Sequence, residues 1–197
     1  IDRDVVSFFA KHKLLYESCE QSADKTKEYH NAVFVGYNEN GVPCHAHKRG
    51  IYSNGQSFKG NVESSNPCYS FHYNGTNNRL YVFEAPIDMI SFITSYKNTH
   101  WQEHSYVALC GVSEQAMLKM LEINHNINYV LLCLDHDEAG IEASEKFQDI
   151  LSKKKIECSR LLSKCKDWNE DIKESINLPA IPSEEHPQYI IRDEVCS

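Results

Sequence analysis

The chain has 197 residues, 41% of them hydrophobic, which suits one compact domain of ordinary size with a small appendage and excludes a natively disordered chain. Lys and Arg number 20 against 28 Asp and Glu, a formal net charge of -8, so no global basic field exists and any nucleic acid must meet a local patch or a bound cation. No run of eighteen uncharged apolar residues and no cationic-then-apolar leader occurs, which points to a soluble, cytoplasmic protein without a membrane partner; a chain opening on Ile and stopping at DEVCS is expected to be part of a longer polypeptide.

In chain order, residues 1–77 read as a small α+β region with as many basic as acidic side chains. Val5, Phe8, Phe9 and Leu15 predict a short helix over 1–15, and the polar stretch SCEQSADKTKEYHN after it predicts a loop. Residues 33–37 and 44–47 flank Asn38-Glu39-Asn40-Gly41, whose Asn-Gly step predicts a β-hairpin. Short strands are expected at 57–58 and 69–73. Cys44, His45 and His47 have a metal-like look, but their spacing is too tight for a zinc finger, and a polar strand bearing two histidines is the preferred reading. The eight cysteines form no CxxC pair, and Cys110 and Cys133 sit in apolar runs, so reduced thiols are expected.

From residue 78 the rhythm changes to βαβαβαβ, with strands at 80–83, 106–110, 129–134 and 157–161. Helical patterns cover 87–97, a segment opening at Ser113 as N-cap, 138–153 and 171–176. This predicts a Rossmann-like parallel α/β sheet with crossover helices over 78–178, followed by an extended, proline-bearing tail over 179–197. Acids follow three of the strands: Glu84 after LYVF, Asp135 and Asp137 after YVLLCL, and Asp167 after the fourth. In open parallel sheets such positions converge on one crevice, and converging carboxylates require a hard cation, Mg2+ or Mn2+. Taken singly, Asp88 or Asp137 is more simply a helix cap or turn residue. Asp135 and Asp137, two apart on an extended segment, point the same way while His136 faces away. Ala139 and Gly140 leave room for close backbone approach at a helix start, and Asp88 in the first turn after Pro86 can lean toward Glu84.

The ordered segments LYVFEAPIDMIS, ALCGVS, LLCLDHDEAG and KDWNEDI resemble the successive motifs of a Toprim domain, the catalytic module of bacterial primases, topoisomerases and some nucleases. The resemblance implies that Glu84 is the acid/base glutamate, that Asp135 and Asp137 hold a divalent metal, and that Gly111 supports the turn after the second strand. EAPIDMIS is similar to the primase form, which adds Asp88 to the metal set, and KDWNEDI adds Asp167 and with it Asn169. NAVFVGYNENGVPCHAHKRGIYS looks like the primase hairpin leading into an arginine, which places Arg49, with Lys48 and Lys59, on a basic face. The same combination is similar to Toprim proteins of plasmids and integrative elements. The implied activity is phosphoryl transfer: primase-like nucleotidyl transfer with nucleoside triphosphates on single-stranded DNA or RNA, or nuclease cleavage. A non-catalytic binding module is the remaining reading, with Tyr52, Phe58, Tyr69, Phe71 and Tyr73 either stacking on bases or packing a core.

Overall fold

The computed structural model describes residues 1–22, 24–51 and 58–183. Helix α1 (Arg3–Lys11) starts at Asp2, whose carboxylate accepts the amide of Asp4 (2.9 Å). It is shorter than the expected 1–15, because Lys13 turns the chain at a φ of 60° and Leu15 already begins strand β1 (Leu15–Gln21). β1 pairs along its whole length with β2 (Glu28–Tyr37), so most of the expected loop over 18–31 belongs to two antiparallel strands. The signal was missing because β1 is an outer strand with largely exposed side chains, and nothing imposes apolar alternation on it. The β2–β3 hairpin forms as expected, with β3 (Pro43–Gly50) reached through a turn in which the Asn38 side chain accepts the amides of Asn40 and Val42, both at 3.0 Å. β4 (Lys59–Asn61) completes a four-stranded antiparallel sheet in the order β1-β2-β3-β4. Of the strand expected at 57–58, Ser57 lies outside the described residues. Of 69–73, only β5 (His72–Tyr73) is strand, and it follows a single 3-10 turn, Pro67–Tyr69.

The second sheet contains β6 (Arg79–Phe83), β7 (Ser105–Ala108), β8 (Tyr129–Leu132) and β9 (Glu157–Arg160), in the order β5-β7-β6-β8-β9. The last four are mutually parallel, as predicted, and β5 adds to the edge antiparallel to β7. The crossovers carry α2 (Pro86–Ser95), α3 (Gln115–Ile123) and α4 (Glu138–Lys153), and α5 (Trp168–Ser175) follows β9. Two helix starts differ from expectation. Glu114, not Ser113, precedes α3, with no side-chain cap, and α5 begins before residue 171 because Asp167 caps it by accepting the amide of Glu170 (2.8 Å). Of the tail, residues up to 183 are described; Pro182 bridges to Cys165, and the Ile181 amide donates to the Glu170 carboxylate (3.0 Å).

Period-two pleating sorts the parallel strands onto two cores. Leu80, Val82, Val130 and Leu132 pack with Met117 of α3 and Phe147 of α4 on one face. Tyr81, Phe83 and Leu131 pack with α2 on the other, and that cluster also takes in Val5 and Phe9 of α1 and Phe34 of β2. The two sheets are separate, yet residues before 78 and after it share one buried cluster. No helix among the described residues is long and apolar enough to cross a membrane.

Candidate active site

The ends of the parallel strands bring the predicted acids together. Glu84 follows β6 directly, and Asp88 lies in the first turn of α2, which Pro86 opens. Asp135 stands three residues beyond β8, while Asp137 and Asp167 are the N-caps of α4 and α5. Glu84, Asp88, Asp135 and Asp167 line one crevice of about 480 Å³. Asp137 stands beside it, joined to Lys166 at 3.3 Å, and its charge reaches Glu84.

Two glycines make this approach possible. A Cβ on Gly140 would lie 2.2 Å from the carbonyl oxygen of Asp135, so the first turn of α4 packs against the Asp135 backbone only because that position has no side chain. Gly111, at a φ of +150°, follows Cys110 at +56° in the turn after β7, and its amide donates to the Glu84 carbonyl at 3.4 Å. Arg160 Nη2 also donates to the Asp135 carbonyl (3.0 Å), which fixes the main chain and leaves the carboxylate to the crevice.

Burial and mutual repulsion dominate the electrostatics. Desolvation, then Glu84, Asp167 and Asp137, push the Asp135 carboxyl up to about 7. Asp88 is almost fully buried and held well above the carboxylate range by burial and by Asp167 and Asp135, while the Asn169 amide, donating at 3.1 Å, opposes the shift. Burial and then the charge of Asp137 raise Glu84. Glu84 Oε2 and Asp135 Oδ1 are buried without a hydrogen-bond partner, the condition that a hard cation relieves. No three of the five carboxylates crowd their oxygens within 4.8 Å of one another, so they form a wall with space between donors. Cys110 and His47 also border the crevice. Burial pushes the Cys110 thiol up to about 12, and His47 Nδ1 donates to Asn61 Oδ1 at 2.8 Å; the lining carboxylates offer oxygens, which fit Mg2+ or Mn2+.

The facing wall is basic. Arg49 and Lys59 sit directly opposite each other across β3 and β4, and both line the crevice. Like charges placed so are unfavourable until an anion lies between them. Lys48 departs from expectation: strand alternation turns it to the other side of the sheet, where it is ion-paired with Glu20. The aromatic residues that could either stack on bases or pack a core divide as well. Phe71 is fully buried, and Tyr73 packs against Trp101 and Tyr106; Phe58 is exposed, and Tyr52 lies outside the described residues. His45, on β3, is buried. His136, between the two acids, is buried and bonds Ser183 Oγ at 2.7 Å.

The sequence reading passed over Lys166 and Glu170, although both stand within or beside the KDWNEDI segment. Lys166 is the cation nearest Asp137. Glu170, only 4% exposed, pairs with Lys173 one turn further along α5 (2.5 Å) and accepts the Ile181 amide at the crevice rim. The signal available was the lysine preceding an acid already singled out.

Residues 81–172 match a family described as Toprim-like, and residues 1–77 match a family described as a protein of unknown function, DUF3991. No curated protein sequence matches. Among solved structures, the primase fragment of the bacteriophage T7 primase-helicase is similar at a TM-score of 0.64 and 17% identity, over 89% of this chain and 67% of that one. A bacteriophage T7 lagging-strand DNA polymerase assembly with primase domains bound to an RNA/DNA hybrid and dTTP gives 0.59 and 17%, over 92% and 89%. A DNA primase domain from Pseudomonas aeruginosa gives 0.52 and 14%, over 88% of this chain and 56% of that one. At such identities the likeness is one of fold, and residues 81–172 have the Toprim fold within a primase-like arrangement.

Proposed function

We propose that the Toprim-like domain of residues 81–172, with the basic wall of β3 and β4, performs divalent-metal-dependent phosphoryl transfer on nucleic acid, as primase-like nucleotidyl transfer in the replication or mobilisation of a plasmid or mobile element. The observation that supports it is the pairing of two walls across one crevice: Glu84, Asp88, Asp135 and Asp167 on one, Arg49 and Lys59 on the other. Glu84, Asp88, Asp135, Asp137 and Asp167 would hold one or two Mg2+ or Mn2+ ions, the space between carboxylates being left for phosphate oxygens. When bound there, such an ion would supply neutralisation of the charge that builds on phosphoryl oxygens in phosphoryl transfer.

The protein's own groups do the rest. Arg49 and Lys59 bind backbone phosphates of a single-stranded template or of the incoming nucleoside triphosphate, an anion that also relieves their mutual repulsion. Glu84, raised by burial and by Asp137, takes the proton of the attacking 3'-hydroxyl. The RNA/DNA hybrid and dTTP in the T7 assembly are the substrate classes to try first. The test offers the chain single-stranded DNA, labelled nucleoside triphosphates and Mg2+ or Mn2+, and reads extension and cleavage together. Metal-dependent extension lost in Asp135→Asn is the expected result. Cleavage without extension would assign a nuclease, and neither product from a folded chain would overturn the proposal.

A further inference from the structure

Outside the crevice, one group of side chains has a different donor chemistry. Strand pleating places Glu17 and Cys19 of β1 on the same face of the hairpin as Glu28 and His30 of β2, with Cys19 directly opposite His30 in the register. One ligand atom each from Cys19, Glu28 and His30 lies within 4.8 Å of the others, the only such trio among the described residues. Cys19 Sγ is 3.8 Å from His30 Nε2, and Glu28 Oε2 is also 3.8 Å from it. A tetrahedral zinc ion, with bonds of about 2.3 Å to sulfur and about 2.0 Å to nitrogen and oxygen, has an S···N edge of about 3.6 Å and an N···O edge of about 3.3 Å. The two edges that His30 makes therefore need to close by about 0.2 and about 0.5 Å.

The other ring nitrogen strengthens this reading. His30 Nδ1 lies 2.7 Å from Glu17 Oε1, and a proton shared there places the lone pair of the neutral ring on Nε2, toward Cys19 and Glu28. A carboxylate behind a histidine is the usual support of a metal-binding imidazole.

We infer that Cys19, Glu28 and His30 form a zinc site, oriented by Glu17 and completed by water, which clamps the outer strand β1 to β2. The thiolate and imidazole select a borderline ion such as Zn2+, whereas the crevice carboxylates select a hard one. β1 and β4 are the opposite edges of the antiparallel sheet and β4 lines the crevice, so the clamp is independent of the function proposed above. An exposed outer strand invites pairing with other chains, and a metal that fixes the hairpin holds that edge in place.

The experiment titrates the reduced, metal-free full chain with Co2+ as a spectroscopic stand-in. One equivalent should give a thiolate-to-cobalt charge-transfer band that Zn2+ abolishes. Cys19→Ser should remove the band, His30→Asn should remove binding, and Glu17→Gln should weaken affinity by about 10- to 100-fold. Asp135→Asn should leave the band intact, which separates this site from the crevice. In the native chain, Zn2+ should slow alkylation of Cys19 more than that of any other cysteine, a readout that needs no variant to fold. A native chain without the band, a band unchanged in Cys19→Ser, or alkylation of Cys19 indifferent to Zn2+ would each overturn the site.

Discussion

Replacing Asp135 by Asn should make the metal-free protein more stable while removing its response to Mg2+. Asp135 titrates at about 7 in the folded chain, because burial and the charges of Glu84, Asp167 and Asp137 all disfavour its ionised form. Against about 3.9 in the unfolded chain, the difference is about 3 units, or about 4 kcal/mol at 1.36 kcal/mol per unit. A carboxyl with a raised folded pKa stabilises the fold relative to its ionised state below pH ~4, and that advantage is lost as pH climbs through ~7. Above that range the native chain carries the full penalty and the neutral amide carries none. Allowing unmet hydrogen bonds of the buried amide to cancel half, about 2 kcal/mol remains. For a chain of this size that is roughly 4–8 °C in Tm. Asp135 is not a helix cap, unlike Asp137 and Asp167, so no capping bond is lost. Melts at pH 4.5 and pH 8 in EDTA, then in Mg2+, decide the matter. The variant should melt higher at pH 8 but slightly lower at pH 4.5, where the native carboxyl is largely neutral while the amide's unmet hydrogen bonds remain, and only the native chain should gain from Mg2+ by mass action. A variant that melts lower in EDTA at pH 8, or that responds to Mg2+ as the native chain does, would refute the electrostatic account.

Arg49→Ala should weaken binding of single-stranded DNA and make the salt slope shallower by about 1, with Mg2+ binding unchanged, whereas Lys48→Ala, on the side of the sheet facing Glu20, should leave the slope as it was. Fluorescence anisotropy over a salt series measures both, and equal slopes for Arg49→Ala and the native chain would reduce the basic wall to surface charge. Gly140→Ala would press a methyl group to 2.2 Å from the Asp135 carbonyl oxygen and should lower stability by about 1–3 kcal/mol together with Mg2+ binding; a denaturant melt with unchanged midpoint would contradict the close packing. Phe9→Ala, at a fully buried position, should lower stability by about 3–5 kcal/mol and keep a single transition. Two separated transitions in the native chain would show that the shared cluster does not couple the halves.

Local pattern was enough for the second half of the chain. Continuous apolar runs such as YVLLCL mark strands covered on both faces, acids directly after them fall at the carboxyl ends, and the apolar spacing of residues 138–153 defined α4 before any neighbour was known. The Asn-Gly turn likewise encodes its hairpin within a few residues. What the tertiary structure decided is what depends on partners far along the chain. β1 is a strand because β2 lies beside it, and its own exposed polar residues carry no period to read. Residues 72 and 73 joined the parallel sheet by pairing with β7, more than thirty residues away. Lys48 and Arg49 are neighbours in sequence, yet the pleat sends one to Glu20 and the other to the crevice, and the phase of that alternation is fixed by the register with β2 and β4. Cys19 and His30 meet only through strand pairing, so no spacing motif announces them. Periodicity records which side of an element is buried, because burial acts on each residue in turn; pairing register and the convergence of distant ends are properties of two segments at once, and neither segment carries them alone.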